Sequence, residues 1–525
     1  MKTFNFFLLF LLFSLNSLAQ QVKRIELPPN NFGNSYYPIP IASKGILVLA
    51  QTSKSTYGLI MYDKDLEQLW TSNGNIDEKL DYATSYYDGK SVYLLFSKFE
   101  SNVYQVVKVY LGPGITQSFD IYSIDKIQVS DFKANNDVIY IAGTARSQPI
   151  ILRTDLINQN TRVLPTALKS EAELQSIEID SLSGGLIASF VLKKGKNYDI
   201  LLKSFDSSGK QETQVIVEPE NELALINGKL TGLNDSTKYL IGTYGFRNQQ
   251  STANNISQGI YVNKIADAEV GESKYYSFAD LSNFFNFMKD KDRERLERKI
   301  EKKKEKGDEY KLNYRLLVHD IIQKKDKFLV VAEAFYPDYK YVNNNGLSPF
   351  NNGFGPYGFS NMYNPYGWGW GRYSLNQFNY NGWGYRNSMM NNNSGKILDG
   401  YVYTHAIVAE FDSKGTLIWD NSIEFKDLKS MKLKERVKAT LEGDNVTLSY
   451  ILDGKIFKKT FKDKTKNEQV NEINVVSDAA GDKVRKSENE ELEYWYDKYA
   501  VAWGSQKLQG QQGRREVFYI NKIEF

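Results

Sequence analysis

Apolar and polar positions alternate in short runs along most of this chain, the period of half-buried strands rather than of helices. The runs are grouped. Two apolar runs flank a tight turn, a third follows a loop, and a shorter fourth follows a turn containing Asp or Gly. The group recurs about every 45 residues. A strand group of that period cannot bury both faces alone and must stack on its neighbours, which predicts a β-propeller.

Eight groups can be laid out, with seven blades as the alternative count. The first uses 36–41, 46–51, 58–62 and 68–72, and the second 82–87, 92–97, 105–110 and 116–121. The third spans 127–164, the fourth 174–217 and the fifth 225–278. The sixth begins near Tyr314, includes 328–334 and resumes at 406–411. The seventh covers 437–476, and the eighth has 492–496, 499–504 and 517–525. Hairpin residues that tolerate positive φ punctuate first and second strands, as in Asp88-Gly89-Lys90 and Ser183-Gly184-Gly185. Asp206-Ser207-Ser208-Gly209 and Asp412-Ser413-Lys414-Gly415 fall between third and fourth strands. The eighth group is one strand short, and 22–27 is an orphan strand. The expectation is an all-β propeller whose N-terminal strand, 23–27, closes the fold beside 517–525 and removes two exposed edges.

Two segments break the repeat. The first, 279–311, opens with Phe284, Phe285, Phe287 and Met288 and then becomes highly charged. Glu294 precedes Arg298 by four residues, and Leu296 precedes Ile300 by four, so a helix with a thin apolar stripe is predicted, ending near Gly307. The second, 337–399, is a low-complexity insertion rich in Gly, Asn and aromatics within the sixth group. Gly at that density disfavours regular structure, whereas the aromatic side chains disfavour full solvation. Its candidate binding residues are Tyr357, Tyr366, Trp368, Trp370, Arg372, Trp383 and Tyr385. Flat rings and amides suit a protein partner, where Trp, Tyr and Arg dominate binding, and suit sugar rings as well. Gly353-Phe354-Gly355-Pro356-Tyr357-Gly358 matches G-x-G-x-x-G, but no strand leads in, no helix leads out, and Pro356 removes a donor. Second-to-third-strand loops and blade-to-blade connections leave one face of a four-stranded blade. Both interruptions, and the loop 247–257, are therefore expected together.

The ends and composition narrow the setting. Lys2, the apolar stretch 4–15 and Ser17-Leu18-Ala19 read as a signal peptide over 1–19, leaving 20–525 as a single propeller domain. No later segment is apolar enough for a transmembrane helix. The chain has no Cys, hence no disulfides and no lipid-bearing cysteine. With 66 Lys plus Arg against 63 Asp plus Glu there is no global field for nucleic acid. Only His319 and His405 occur, which excludes a multi-histidine metal site. No G-x-S-x-G elbow is present, and nothing calls for a cofactor. His319 and paired acids at a central channel remain the conceivable catalytic groups.

In style the chain resembles exported proteins of the Bacteroidota. Its layout is similar to quinoprotein-like eight-bladed propellers, as in Phe411-Asp412-Ser413-Lys414-Gly415-Thr416-Leu417-Ile418-Trp419, where a Trp follows an Asp/Gly turn. The motif recurs weakly at Asp63…Trp70 and is lacking in the other groups, so neither cofactor nor redox activity carries over. The resulting expectation is a periplasmic or outer-membrane-associated interaction scaffold of the cell envelope, binding an envelope protein or outer-membrane complex. The alternative is a glycan-binding protein or a polysaccharide hydrolase or lyase.

Overall fold

The computed structural model describes residues 20–30, 36–168, 170–180, 183–220, 222–232, 237–250, 255–341, 396–462, 470–477, 481–510 and 513–525. Eight four-stranded antiparallel meanders follow one another, so the chain is an all-β, eight-bladed propeller. Blade one is Tyr36–Pro40, Ile46–Gln51, Thr56–Tyr62 and Gln68–Asn75. Blades two and three share one long strand, Ile115–Asn135. Its first part pairs with Ser101–Tyr110, and its second part, from Gln128, pairs with Val138–Ala145. Blade four is Glu171–Ile179, Leu186–Lys194, Asn197–Phe205 and Gln211–Val217. Blades five and six each divide their first strand in two: Leu223–Leu225 with Lys229–Gly232, and Arg315–Val318 with Ile322–Lys324. Blade seven runs from Lys438 to Asn474. Blade eight joins Lys483–Tyr496, Tyr499–Gly510 and Gly513–Glu524 to Gln20–Leu27.

Burial explains the sequence pattern. Second strands are covered on both faces and read as continuous apolar runs, as in the wholly buried Ser91–Ser97. The fourth strand of blade one, Gln68–Asn75, has no buried position and mixes exposed with half-buried residues.

Two compact units emerge, one of Met1–Leu49, Leu59–Trp70 and Arg436–Phe525, the other of Ala50–Gly58 and Thr71–Glu435. In the first, the closure is as expected: Gln20–Leu27 pairs antiparallel with Gly513–Glu524, Ile25 opposite Ile520 and Leu27 opposite Phe518. Arg24 secures it. Its buried guanidinium donates to Glu26 Oε1 (2.8 Å), Gln506 Oε1 (2.9 Å) and the Val476 carbonyl (3.1 Å), and lies 4.7 Å from the Tyr519 ring centroid. In the same unit Trp495 Nε1 donates to the Gly45 carbonyl (3.0 Å).

In the second unit, the Asp/Gly turns are where blade meets blade. Gly415 has φ +71°, and a Cβ there would stand 2.8 Å from Val262 of blade five. The hydroxyls of Tyr239 and Tyr276 donate to the carbonyls of Ser413 and Gly415, the second at 2.8 Å. Arg153 of blade three grips the Ser207 carbonyl of blade four at 2.7 and 3.0 Å. Tyr and Arg side chains thus fasten one blade to the turn of the next. Much of the abundant Tyr is core: Tyr57, Tyr82, Tyr93, Tyr104, Tyr140, Tyr239 and Tyr261 are all fully buried.

Candidate functional site

The elaborations of the second unit converge at one end of blades five and six. In blade six the second and third strands, Lys327–Tyr341 and Lys396–Phe411, outrun their neighbours. The first strand pairs only as far as Phe335, opposite Arg315, and the fourth only as far as His405, opposite Glu424. The hairpin continues through Tyr341 opposite Lys396, six residues farther along the second strand, an arm roughly 20 Å long. The expected limits of the low-complexity loop, Pro337 and Asp399, therefore lie inside strands. Along the arm Tyr336, Tyr339 and Lys340 are exposed and Pro337 and Asp338 half-buried, so no strict two-residue alternation marks it in the sequence.

Two bulges shape the arm, at Ala334/Phe335 and at Asp338/Tyr339, leaving Thr404 and Asp399 as the extra residues. Gly400, beside the second, has φ +124°. Asp399 accepts from Lys340 and Lys429, each at 2.7 Å, and Lys429 also donates to Asp338 at 2.8 Å. Hydrogen bonds from Lys340, then Lys429, hold the Asp399 carboxyl down to about 2. Lys429 and Ser430 pair with Val402 and Tyr401, so a short strand after the blade braces the arm.

The connection between blades five and six fastens to the root of this arm. Asp420 accepts the backbone N–H groups of Ser282 (2.8 Å) and Asn283 (2.7 Å). Phe284 and Phe285 are buried, and the His405 ring stacks on Phe287 at 4.0 Å with Phe284 edge-on at 4.8 Å. Burial pushes the His405 imidazole down to about 3. Thr404 Oγ1 and His405 Nδ1 are 2.9 Å apart, while Nε2 meets no partner among the described residues. The apolar cluster thus forms turns rather than helix. The helix itself is Asp290–Lys304, docked through buried Ile300 and half-buried Leu296. The blade-five loop joins the same end, with the Ser257 N–H on the Tyr314 carbonyl (2.8 Å) and Gln258 Nε2 on the Leu312 carbonyl (2.6 Å).

A second polar concentration lies on the first strands of blades three to six, which neighbour one another in this order. Asp131 and Lys133 occupy alternate positions of one strand, facing Glu178 and Lys229 on the next two. Lys133 contacts Glu178 at 3.3 Å, and Lys229 contacts Asp320 at 2.5 Å. Asp131 accepts the Ile177 N–H of blade four at 3.0 Å. Burial raises the Asp131 and Glu178 carboxyls, against the pull of Lys133. The rise at Glu178 is tempered by solvent, because its side chain is 34% exposed. For Lys133 and Lys229 burial is the largest influence and pulls down. The summed attraction of surrounding carboxylates, led by Glu178 and Asp320 respectively, overcomes it and raises both.

His319 adjoins this cluster, its Nε2 2.9 Å from Glu333 and its Nδ1 4.0 Å from Glu435. Both ring nitrogens face carboxylates, so the ring is committed to internal partners. His405 is sealed behind aromatics. Among the described residues no group of three or more His, Asp or Glu could hold a metal ion, and no helix is long and apolar enough to cross a membrane.

Tyr357, Tyr366, Trp368, Trp370, Arg372, Trp383 and Tyr385 lie outside the described residues, in the span carried by the arm. Sequence reasoning missed the arm and the first-strand cluster. The available signal for the cluster was charge at alternate strand positions, Asp131 and Lys133, where an apolar face was expected.

No protein-family model matches the chain, and no curated protein matches its sequence. Among solved structures it is similar to the polysaccharide lyase Uly1, at 8% identity and TM-score 0.39, over 86% of this chain and 91% of that one. The β-propeller domain of the Trilobed protease from Pyrococcus furiosus aligns at 8% identity and TM-score 0.35, over 83% and 97%. The Dos1 propeller aligns at 10% identity and TM-score 0.38, over 85% and 92%. These likenesses lend no activity, and the propeller assignment stands on the eight meanders themselves.

Proposed function

We propose that this protein is an exported, non-catalytic interaction scaffold of the bacterial cell envelope, periplasmic or outer-membrane-associated. It engages an envelope protein through the elaborated end of blades five and six. The observation that supports this most is the braced arm of blade six. Regular strand is extended past its blade, pinned by Lys340, Lys429, Asp338 and Asp399, and it leads directly into the Gly- and aromatic-rich span. The span that follows the arm contains Trp368, Trp370 and Trp383, and Trp is among the residues that most often anchor protein interfaces. Deleting 343–393 and joining the arm with a short turn tests the reading. The expected result is an unchanged denaturation midpoint and loss of envelope proteins that co-purify with the intact chain. Co-purification unaffected by the deletion overturns it.

The rival reading, a glycan-binding protein or a polysaccharide hydrolase or lyase, draws support from the gathering of Asp131, Glu178, Asp320, Glu333 and Glu435 around Lys133, Lys229 and His319. The internal pairing of those groups weighs against turnover. Polysaccharide cleavage that is lost in Glu178→Gln and Asp320→Asn, yet kept when 343–393 is deleted, selects it.

A further inference from the structure

The charges of the helix Asp290–Lys304 are interleaved in sequence but segregated in space. At 3.6 residues per turn, Asp290, Glu294, Glu297 and Glu301 fall in one row along the solvent face, continued by Glu305 just past the helix. Lys291, Arg295, Arg298 and Lys302 fall in a second row beside it. All nine are exposed, and all lie away from the docking line of Leu296 and Ile300.

This arrangement works against the helix itself. Lys291 and Arg295, Asp290 and Glu294, Glu297 and Glu301, and Arg298 and Lys302 are all like-charged neighbours four residues apart, which destabilise a helix. Opposite charges across the boundary, Glu294 with Arg298 four apart and Lys291 with Glu294 three apart, return only part of that cost. Lys291, Arg295 and Lys302 make no ion pair among the described residues, nor do Glu301 and Glu305, whereas Lys304 outside the rows pairs with Asp280. Of the nine, Asp290 and Glu297 meet Arg293, which lies outside the rows, at 2.8 and 3.9 Å. Two coherent stripes assembled at a local cost, most of whose members make no ion pair among the described residues, fit a surface that meets its complement elsewhere.

The complement is present in the chain. Two copies of the helix related by a two-fold axis parallel to their length place the acidic row of each against the basic row of the other, along the roughly 20 Å of the element. The antiparallel two-fold arrangement sets acid against acid and is excluded by the same pattern. We propose that Asp290–Lys304 is a homodimer contact in which the acidic and basic rows of one copy pair with the basic and acidic rows of a second copy in parallel register. Contacts of this kind are exposed, so the dimer is weak and sensitive to salt. The inference does not need the aromatic insertion, because deleting 343–393 leaves both rows in place.

Sedimentation velocity on the full mature chain tests it, at about 100 µM protein and at about 20 mM and 500 mM salt. The expected result is a dimer at low salt whose apparent dissociation constant rises at least about tenfold at high salt. Two variants complete the test. One carries Lys291→Glu, Arg295→Glu, Arg298→Glu and Lys302→Glu. The other carries Asp290→Lys, Glu294→Lys, Glu297→Lys and Glu301→Lys. Each alone is expected to be monomeric with unchanged strand circular dichroism, and an equimolar mixture is expected to dimerise. A monomer at low salt overturns the proposal, as does a dimer that either variant leaves intact or a mixture that stays monomeric. None of these results bears on capture through the insertion.

Discussion

Arg24 and Gln506 hydrogen-bond at 2.9 Å across a sequence separation of 482 residues, in the interior of the sheet that joins the two ends of the propeller. The guanidinium is wholly buried, and it donates as well to Glu26 and to the Val476 carbonyl. Arg24→Ala leaves Gln506 and Glu26 without that cation, and breaking a buried charged network of this sort costs about 3–5 kcal/mol. Urea denaturation is expected to show that loss with an unchanged slope. A variant within about 0.5 kcal/mol of the parent contradicts the role.

His405 predicts how stability responds to acid. Its folded-state value, about 3, lies below the ordinary imidazole value of 6.5, so the unfolded chain takes up the proton first. The stability associated with the neutral ring is intact above pH 6.5 and declines as pH falls from there toward 3. The decline is at most about 1.4 kcal/mol per pH unit. His405→Phe is expected to remove this contribution, so the difference in unfolding free energy between pH 7 and pH 4.5 becomes smaller than in the parent. Equal differences in the two proteins rule the assignment out.

The turn contacts between blades five and six make a third prediction. Tyr276→Phe removes one donor from the Gly415 carbonyl and is expected to cost about 0.5–1.5 kcal/mol. Gly415→Ala should cost more, about 1–3 kcal/mol, because a side chain at φ +71° also meets Val262 at 2.8 Å. Thermal denaturation of both variants gives the ranking, and the reverse order counts against blade-to-blade docking through this turn.

The brace on the arm is separable from global stability. Lys429→Ala removes the cation shared by Asp338 and Asp399. Amide exchange at 336–341 and 398–403 is expected to accelerate while the denaturation midpoint stays put. Equal protection in parent and variant contradicts the brace.

The fold was largely legible in the sequence because strand blades announce themselves through turn chemistry. Gly45, Gly89, Gly184 and Gly415 all take the positive φ that their turns imply, and the orphan strand at 22–27 pairs where an edge needed covering. Three things were hidden. Tyr239 and Tyr276 look like ordinary strand residues, and only the three-dimensional proximity of the Ser413–Gly415 turn turns their hydroxyls into blade contacts. The arm was hidden because Pro337 and Asp338 suggest a loop, whereas tertiary support from Lys429 and the two bulges lets the strands continue. The first-strand cluster was obscured for a similar reason: Asp131, Glu178, Lys229 and Asp320 are dispersed over 190 positions, and no local spacing signals their meeting.

The closing sheet also sets a timetable. Ile25 waits for Ile520, so an early strand must remain unpaired while almost all other residues are synthesised. Seven of the blades can assemble from neighbours in sequence, but the eighth needs the strand from the other end of the chain. The rate of reaching the finished state is then governed by the loop-closure entropy of that single long-range pairing. Until it forms, the molecule carries two unsatisfied strand edges on which a holding chaperone, or another incomplete copy, could act.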